Sequence, residues 1–310
     1  MTNTKYGHLI CTELTEEARQ KDLALEGSDR MKEHVIWMDS EVIMGAMYSE
    51  CVWFSPGFLD SPEEMRKREG LGAHTHPFDE VIGFFGTDLN DPYDLGGEIE
   101  LWLEDEKFEM KNSFLAYVPA GMKHCPLKNI AQDRRMFHFT LGPGKEYTRQ
   151  ESVVTNTPKP EWDVRKHVVS GLKDAIATAP WSAGPKQAGN GKGGRLLYLD
   201  SEVVPGAFYV ETVWVTPLPD DSEDTVFPGG NPVEKHSHDF DEVIAFFGTD
   251  PDNIHDLCGE VELWLGGEKH IIDKSCMVFV PAGLEHCPLR FNRVDRPIFY
   301  FTAGPGSMYF

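Results

Sequence analysis

The sequence predicts an all-β fold built twice: two tandem antiparallel barrels or sandwiches, preceded by a short helical segment and joined by a partly helical linker. Three observations carry this reading. A constellation of histidines and one glutamate occurs twice at a constant shift of 162 residues. Short runs of alternating polar and apolar residues recur between turn signals, with no helical pattern inside either repeat. The length, 310 residues, suits two domains of about 150 residues each.

Taken in order, residues 12–34 are rich in helix formers, as in Thr15-Glu16-Glu17-Ala18-Arg19-Gln20. They lack period-2 alternation, so residues 1–34 are expected to form a helical N-terminal segment. Strand patterning then begins. Residues 44–54 are mirrored by 205–215 at a shift of 161, which puts one residue of net insertion into the loops 55–72 and 216–235. Both loops are rich in proline, glycine and charge. Residues 98–103 and 260–265 alternate polar and apolar, 114–118 and 277–280 are each stopped by a proline, and 136–140 and 298–302 close each repeat. The expected barrels are residues 35–148 and 195–310. Residues 149–194 between them contain Pro158-Lys159-Pro160, a predicted helix over 164–178 and a glycine-rich tail at 188–194, the marks of a linker. Many short strands without intervening helices favour an antiparallel sheet over a parallel α/β one.

Composition narrows the partners. The chain carries 51 acidic and 29 basic residues, a net charge of -22. Such a surface repels phosphate backbones and anionic headgroups, which argues against nucleic acid and membrane partners. A small anionic substrate stays compatible, because a pocket's local field can oppose the global one. Hydrophobic residues make up 40% and aromatics 11%, enough for packed cores. No apolar run approaches the ~18 residues that span a bilayer. The first residues show no charged region followed by an apolar one, so no secretion signal is expected. Cys11, Cys51, Cys125, Cys258, Cys276 and Cys287 form no CxxC pair, and a reduced, cytoplasmic setting is the simpler expectation.

The repeated constellation carries the chemistry. His74-Thr75-His76 is followed by Glu80, then by Pro119-Ala120-Gly121 and His124; His236-Ser237-His238 is followed by Glu242, Pro281-Ala282-Gly283 and His286. Histidines at i and i+2 of a strand point to one face, and a glutamate at an even offset can return to it. The last histidine must come from another strand, aimed by the Pro-x-Gly turn before it. Three imidazoles and a carboxylate suit Fe, Mn, Zn, Ni or Cu and leave one or two positions open, as catalytic sites do.

HxH-x3-E followed by PxG-x2-H resembles the two motifs of the cupin superfamily, and the tandem arrangement resembles a bicupin. The resemblance covers most of the chain outside the N-terminal segment and the linker. It implies two double-stranded β-helix (jelly-roll) barrels, each with one divalent transition metal, Fe or Mn favoured. The implied ligands are His74, His76, Glu80 and His124 in the first barrel and His236, His238, Glu242 and His286 in the second. It implies a metal-dependent enzyme acting on a small organic substrate, with a dioxygenase-type oxidoreductase as the first reading. A non-redox lyase, isomerase or decarboxylase is the alternative within that class, and a non-catalytic metal- or ligand-binding bicupin the alternative outside it. The sequence departs from the family pattern at Gly86 and Gly248, which follow the glutamate after five residues, and at Lys128 and Arg290, where an asparagine is usual.

Further residues are candidates for acid/base work. Tyr48 with Glu50, and Tyr209 with Glu211, share a strand face that becomes functional if it lines the barrel interior. His138 and Tyr300 occupy one repeat position and read either as an acid/base group or as strand residues packed between aromatics. Cys125 and Cys287 follow the last histidines, and strand alternation points their thiols away from the metal. Asp133-Arg134 and Asp295-Arg296 read first as a turn or strand-end ion pair, with a carboxylate clamp on the substrate as the alternative. Trp53, Trp102, Trp214 and Trp264 read as packing residues. Exposed sheet edges make a homodimer compatible with the sequence.

Overall fold

The computed structural model describes residues 4–16, 18–19, 32–56, 72–148, 150–151, 161–171, 194–217 and 233–306. Among these, the first repeat contributes β2 (Lys32–Met38), β3 (Tyr48–Phe54), β4 (His74–Thr75), β5 (Glu80–Gly86), β6 (Asp94–Leu103), β7 (Glu106–Asn112), β8 (Phe114–Val118), β9 (His124–Gln132), β10 (Met136–Gly142) and β11 (Gln150–Glu151), after the short β1 (Ile10–Cys11). The linker gives β12 (Val168–Val169). The second repeat gives β13 (Gly194–Leu199), β14 (Tyr209–Val215), β15 (Glu242–Gly248), β16 (Asp256–Leu265), β17 (Glu268–Lys274), β18 (Cys276–Val280), β19 (His286–Val294) and β20 (Ile298–Gly304). The fold is all-β, as predicted. No described helix is long and apolar enough to cross a membrane.

Each barrel closes a six-stranded sheet over a smaller one. In the first, β12-β8-β5-β10-β3-β2 faces β11-β4-β9-β6-β7; in the second, β1-β18-β15-β20-β14-β13 faces β17-β16-β19. The two sheet types read differently for a physical reason. β5, β8 and β10 are buried at every position, because one face lines a barrel and the other meets the second barrel. β6 and β16 keep one face to solvent over their last residues and alternate there, in Glu98 to Leu103 and Glu260 to Leu265.

The face between the barrels is aromatic. Trp53, Phe85, Phe137 and Phe139 meet Trp214, Phe247, Phe299 and Phe301 in one continuous core. Phe137 lies 4.6 Å from Phe299 and 4.8 Å from Phe247 between ring centroids, and Phe139 lies 4.7 Å from Phe301. The barrel interiors form separate cores, one around Phe84, Ile99 and Phe114, the other around Phe246, Leu263 and Phe291.

The segment preceding each barrel crosses to the other. β1 pairs with β18, Ile10 opposite Val278, and β12 pairs with β8, Val168 opposite Ala116. A short 3-10 turn precedes each, Gly7–Leu9 and Val164–His167. The anchors also correspond: the Lys5 amide donates to Glu268 at 3.0 Å, and Arg165 Nε donates to Glu106 at 2.6 Å.

Two local expectations are corrected. Residues 32–34, expected at the end of the N-terminal helix, begin β2, because pairing with β3 (Lys32 opposite Phe54) overrides helix propensity. A helical turn does occur where the backbone amide of Arg19 donates to Thr15 O at 2.9 Å; residues 20–31 lie outside the described residues. In the linker the predicted helix is instead the 3-10 turn and β12, since the edge of β8 offers backbone partners; residues 172–178 of that expectation are also outside them.

Two outcomes follow from this packing. Phe299→Ala should destabilise the chain by about 3–5 kcal/mol, and because its core is shared, both barrels should unfold in one calorimetric transition; two separated transitions would contradict a common core. All six thiols are buried. Burial pushes Cys11 up to about 11 and Cys51, Cys276 and Cys287 well above their ordinary value. Native protein at pH 8 should therefore leave these four unreacted with Ellman's reagent until denatured. The sign for stability also follows. Above the unfolded thiol value the unfolded chain releases protons that the folded chain retains, so stability falls as pH rises past about 8.5, read from urea midpoints at pH 8 and 10.

Candidate metal centres

The eight predicted ligands gather into two clusters, one per barrel. His74 on β4 stands directly opposite His124 on β9. In the second barrel His236 and His286 exchange both backbone hydrogen bonds, at 3.0 and 2.9 Å. Ring centroids of His74, His76 and His124 are 4.8, 4.3 and 4.9 Å apart; those of His236, His238 and His286 are 4.8, 4.3 and 5.2 Å apart. Glu80, at the start of β5, brings Oε1 within 3.4 Å of His76 Nε2 and Oε2 within 3.1 Å of His124 Nε2. Glu242 reaches His238 at 3.8 Å and His286 at 3.0 Å.

The turns that aim these side chains are visible in the motif. Gly121 and Gly283 have φ of +80° and +79°, which glycine adopts without strain. Their amides donate to the carbonyls of His76 and His238 at 2.8 and 2.7 Å, fastening the turn to the HxH segment. The aspartate before each glutamate helps: Asp79 Oδ1 accepts from the Ala120 amide at 2.8 Å, and Asp241 Oδ1 from Ala282 at 3.0 Å.

Five of the six histidines are held by their outer nitrogen. Nδ1–H donates to a backbone carbonyl in His74 (Gly72, 2.7 Å), His76 (Thr148, 2.6 Å), His124 (Met122, 3.1 Å), His236 (Glu234, 2.6 Å) and His286 (Leu284, 3.0 Å). That tautomer leaves the Nε2 lone pair facing the cluster, as a metal requires. The Nε2 atoms of His124 and His286 and both carboxylate oxygens of Glu242 are buried without a hydrogen-bond partner. A buried carboxylate among imidazoles that lacks hydrogen bonds is a costly arrangement unless a cation completes it. The donor set fits a divalent transition metal.

Burial favours the neutral imidazole at His74, His236 and His238. Burial, reinforced by His124, pulls His74 down to about 4. Burial lowers His236 and His238 as well, while His286 is raised, its burial outweighed by Glu242. Burial works to raise the Glu80 carboxyl, but the adjacent His124 and His76 imidazoles outweigh it and hold the group well below the carboxylate range.

The remaining candidates divide. Tyr48 and Glu50 point into the first barrel, and the Tyr48 hydroxyl donates to Glu50 Oε2 at 2.8 Å. Tyr48 pairs with Gly142, one residue past the Leu141–Val81 pair, so it lies on the row of Glu80 with only a glycine between. Burial and the charges of Glu50 and Glu80 hold its phenol well above the ordinary value. In the second barrel Tyr209 donates to Glu211 at 3.1 Å and shares a 2.6 Å hydrogen bond with Thr302. His138 and Tyr300 are not brought to the clusters. His138 sits four residues along β10 from Gly142, about 13 Å away. It donates to Gly83 O at 2.8 Å and stacks on Phe84; Tyr300 stacks on Phe246.

Strand alternation misplaces one thiol. Cys125 and Cys287 have φ of +69° and +70°, which breaks the alternation. The Cys287 sulfur therefore lies within 4.8 Å of ring nitrogens of His236 and His286 instead of pointing away. Arg134 is bound to Asp94 at 2.5 Å and Arg296 to Asp250 at 3.4 Å, structural ion pairs across the 87–96 and 249–258 loops. Trp53 and Trp214 are buried, whereas Trp102 and Trp264 are half-buried and donate to Glu100 and Glu262.

Tyr147 was absent from the sequence-derived candidates. Its hydroxyl is 3.5 Å from His74 Nε2, and its ring lies 5.1 Å from His76 and 4.9 Å from Tyr48. The signal was available: Gly-Pro-Gly-x-x-Tyr recurs at 142–147 and 304–309.

No family model matches the sequence, and no curated protein matches it either. Solved structures do. A point mutant of Bacillus subtilis oxalate decarboxylase superposes with a TM-score of 0.53 at 11% identity, covering 91% of this chain and 75% of that one. A structure used to study the Mn(II) centres of the Bacillus subtilis enzyme gives 0.51 at 13% identity over 90% and 76%. AerE from Microcystis aeruginosa gives 0.47 at 13% identity over 89% and 93%. With two barrels in tandem and a matching histidine–glutamate cluster at the same place in each, the chain shares the two-barrel fold of these oxalate decarboxylases.

Proposed function

We propose that each barrel binds one divalent metal, manganese favoured, and that the protein is a metal-dependent lyase that decarboxylates a small carboxylate substrate. The observation that carries the reading is the tautomer control: carbonyls hold Nδ1, and Nε2 atoms converge with a carboxylate in both barrels. The decarboxylase alternative is favoured over the dioxygenase first reading because the structural neighbours with TM-scores above 0.5 are decarboxylases.

When bound, the metal supplies a Lewis-acid centre for an anionic oxygen. The chain's own residues do the rest. His74, His76, Glu80 and His124 are all at most 3% exposed, so water is largely excluded from the first centre. Loss of CO₂ from a carboxylate leaves an electron pair on carbon, and one proton must replace the departing group. Tyr48, on the row of Glu80 and hydrogen-bonded to Glu50, is placed to hold that proton; Tyr147, at His74, is placed to orient the substrate.

Protein purified without chelator should carry close to two metal equivalents per chain by elemental analysis. His76→Ala and His238→Ala should each lose about one, independently, because the clusters lie in separate barrels; either substitution emptying both would contradict two autonomous sites. Manganese-loaded protein should release CO₂ from oxalate or a related small di- or keto-acid without stoichiometric O₂ uptake. Oxygen consumption matching turnover would return the reading to a dioxygenase, and a chain that never loads metal would end both.

A further inference from the structure

The two barrels carry the same ligands but differ two strands away, in what backs the tyrosine. In the first barrel the Tyr48 hydroxyl is 2.8 Å from Glu50 Oε2, and Glu50 Oε1 is 3.2 Å from Nδ1 of His34 on β2. In the second barrel Tyr209 and Glu211 repeat the first two members, but the third is Arg195, whose Nε donates to Glu211 Oε1 at 2.6 Å. His34 and Arg195 are equivalent at the shift of 161 that relates β3 to β14. The flanking pair is also retained: Trp37 donates to Asp39 at 3.0 Å, and Tyr198 to Asp200 at 2.9 Å. The substitution is therefore local, a titratable imidazole against a guanidinium that does not release its proton.

His34 has a second neighbour. It lines a cavity of about 750 Å³ between the N-terminal segment and the second barrel's 253–256 loop and β17 end. The other titratable and charged groups facing it there are Glu13, Arg19, His255, Asp256, Asp273 and Lys274, with Glu50 on the barrel side. The side chains of His34 and Glu50 are only 7% and 9% exposed, so the imidazole spans from the cavity wall to the barrel interior.

We propose that His34–Glu50–Tyr48 is a proton relay from this cavity into the first barrel, and that Arg195 closes the same route in the second. The proposal rests on the lyase reading. In the proton balance, the C–C bond to the departing CO₂ breaks and its electron pair stays on carbon. The Tyr48 O–H bond then breaks as a C–H bond forms, the Glu50 carboxyl passes the replacement proton to the phenolate, and the His34 imidazolium supplies it. Water in the cavity reprotonates His34, and no electron changes hands. One barrel then performs proton-consuming chemistry while the other holds its metal without a proton supply.

Two measurements test this, one independent of turnover. In the full chain carrying 15N-imidazole histidine and added zinc, the His34 resonances, assigned by their loss in His34→Gln, should respond to the solution pH. Resonances that stay fixed at every pH would overturn the relay. With oxalate as substrate, His34→Arg should keep two metals and an unchanged KM but lose roughly 10²-fold in kcat. The acidic limb of the pH profile should shift, and His34→Ala should regain activity with added imidazole. A His34→Arg chain within twofold of the parent kcat, or no imidazole rescue of a metal-replete His34→Ala chain, would overturn it. Failure of the parent chain to release CO₂ would instead remove the lyase reading and leave the 15N titration to decide whether His34 exchanges protons through the cavity.

Discussion

Burial of both faces of the two six-stranded sheets is the constraint on which the rest depends. An isolated jelly roll keeps the outer face of each sheet wet. Here the outer faces of β5, β10, β3 and their counterparts carry Phe85, Phe137, Phe139, Trp53, Phe247, Phe299, Phe301 and Trp214, which would be a large exposed apolar patch on a lone barrel. Packing them together makes one molecule of the two repeats and fixes which sheet must hold the inner wall of each site. The crossing arms, β1 onto the second barrel and β12 onto the first, cover sheet edges that would otherwise offer unpaired backbone groups.

On that rigid wall the clusters need little further machinery. Glu80 and Glu242 begin buried strands, so their carboxylates enter the barrels at a fixed depth. The HxH pairs come from shorter, less regular segments, His124 and His286 begin β9 and β19, and five of the six are steadied by backbone carbonyls at Nδ1, with the Pro-x-Gly turns aiming the last of each set. The energetic logic is pre-organisation: the imidazoles are oriented before any cation arrives, and the buried carboxylate is the charge that a cation neutralises.

Duplication preserved this core and the histidine–glutamate cluster but not the surroundings. His34 against Arg195 and His138 against Tyr300 are changes at matched positions within conserved geometry. The first pair backs a tyrosine on the ligand row and alters what protons can do. The second lies about four residues up the strand, wedged against Phe84 or Phe246, and alters packing only. Equal clusters therefore do not make equal surroundings.

The sequence by itself determined the number of barrels, the strand class and the eight clustered side chains, because these depend on periodicity and on a motif repeated at fixed spacing. It also carried Tyr147 in a repeated Gly-Pro-Gly-x-x-Tyr, although a tyrosine beyond the end of a strand has no meaning until the chain turns back over His74. What only tertiary structure decided were relations between distant segments. Pairing with β3 turned residues 32–34 into strand against their helix propensity, because an unsatisfied sheet edge outweighs a weak local preference. The exchange of arms, the face to which Tyr48 and Glu50 point, and the left-handed backbone that turns Cys287 toward its histidines have no local signature. They follow from closing a sheet on itself and then against its duplicate, through contacts between residues far apart in the sequence.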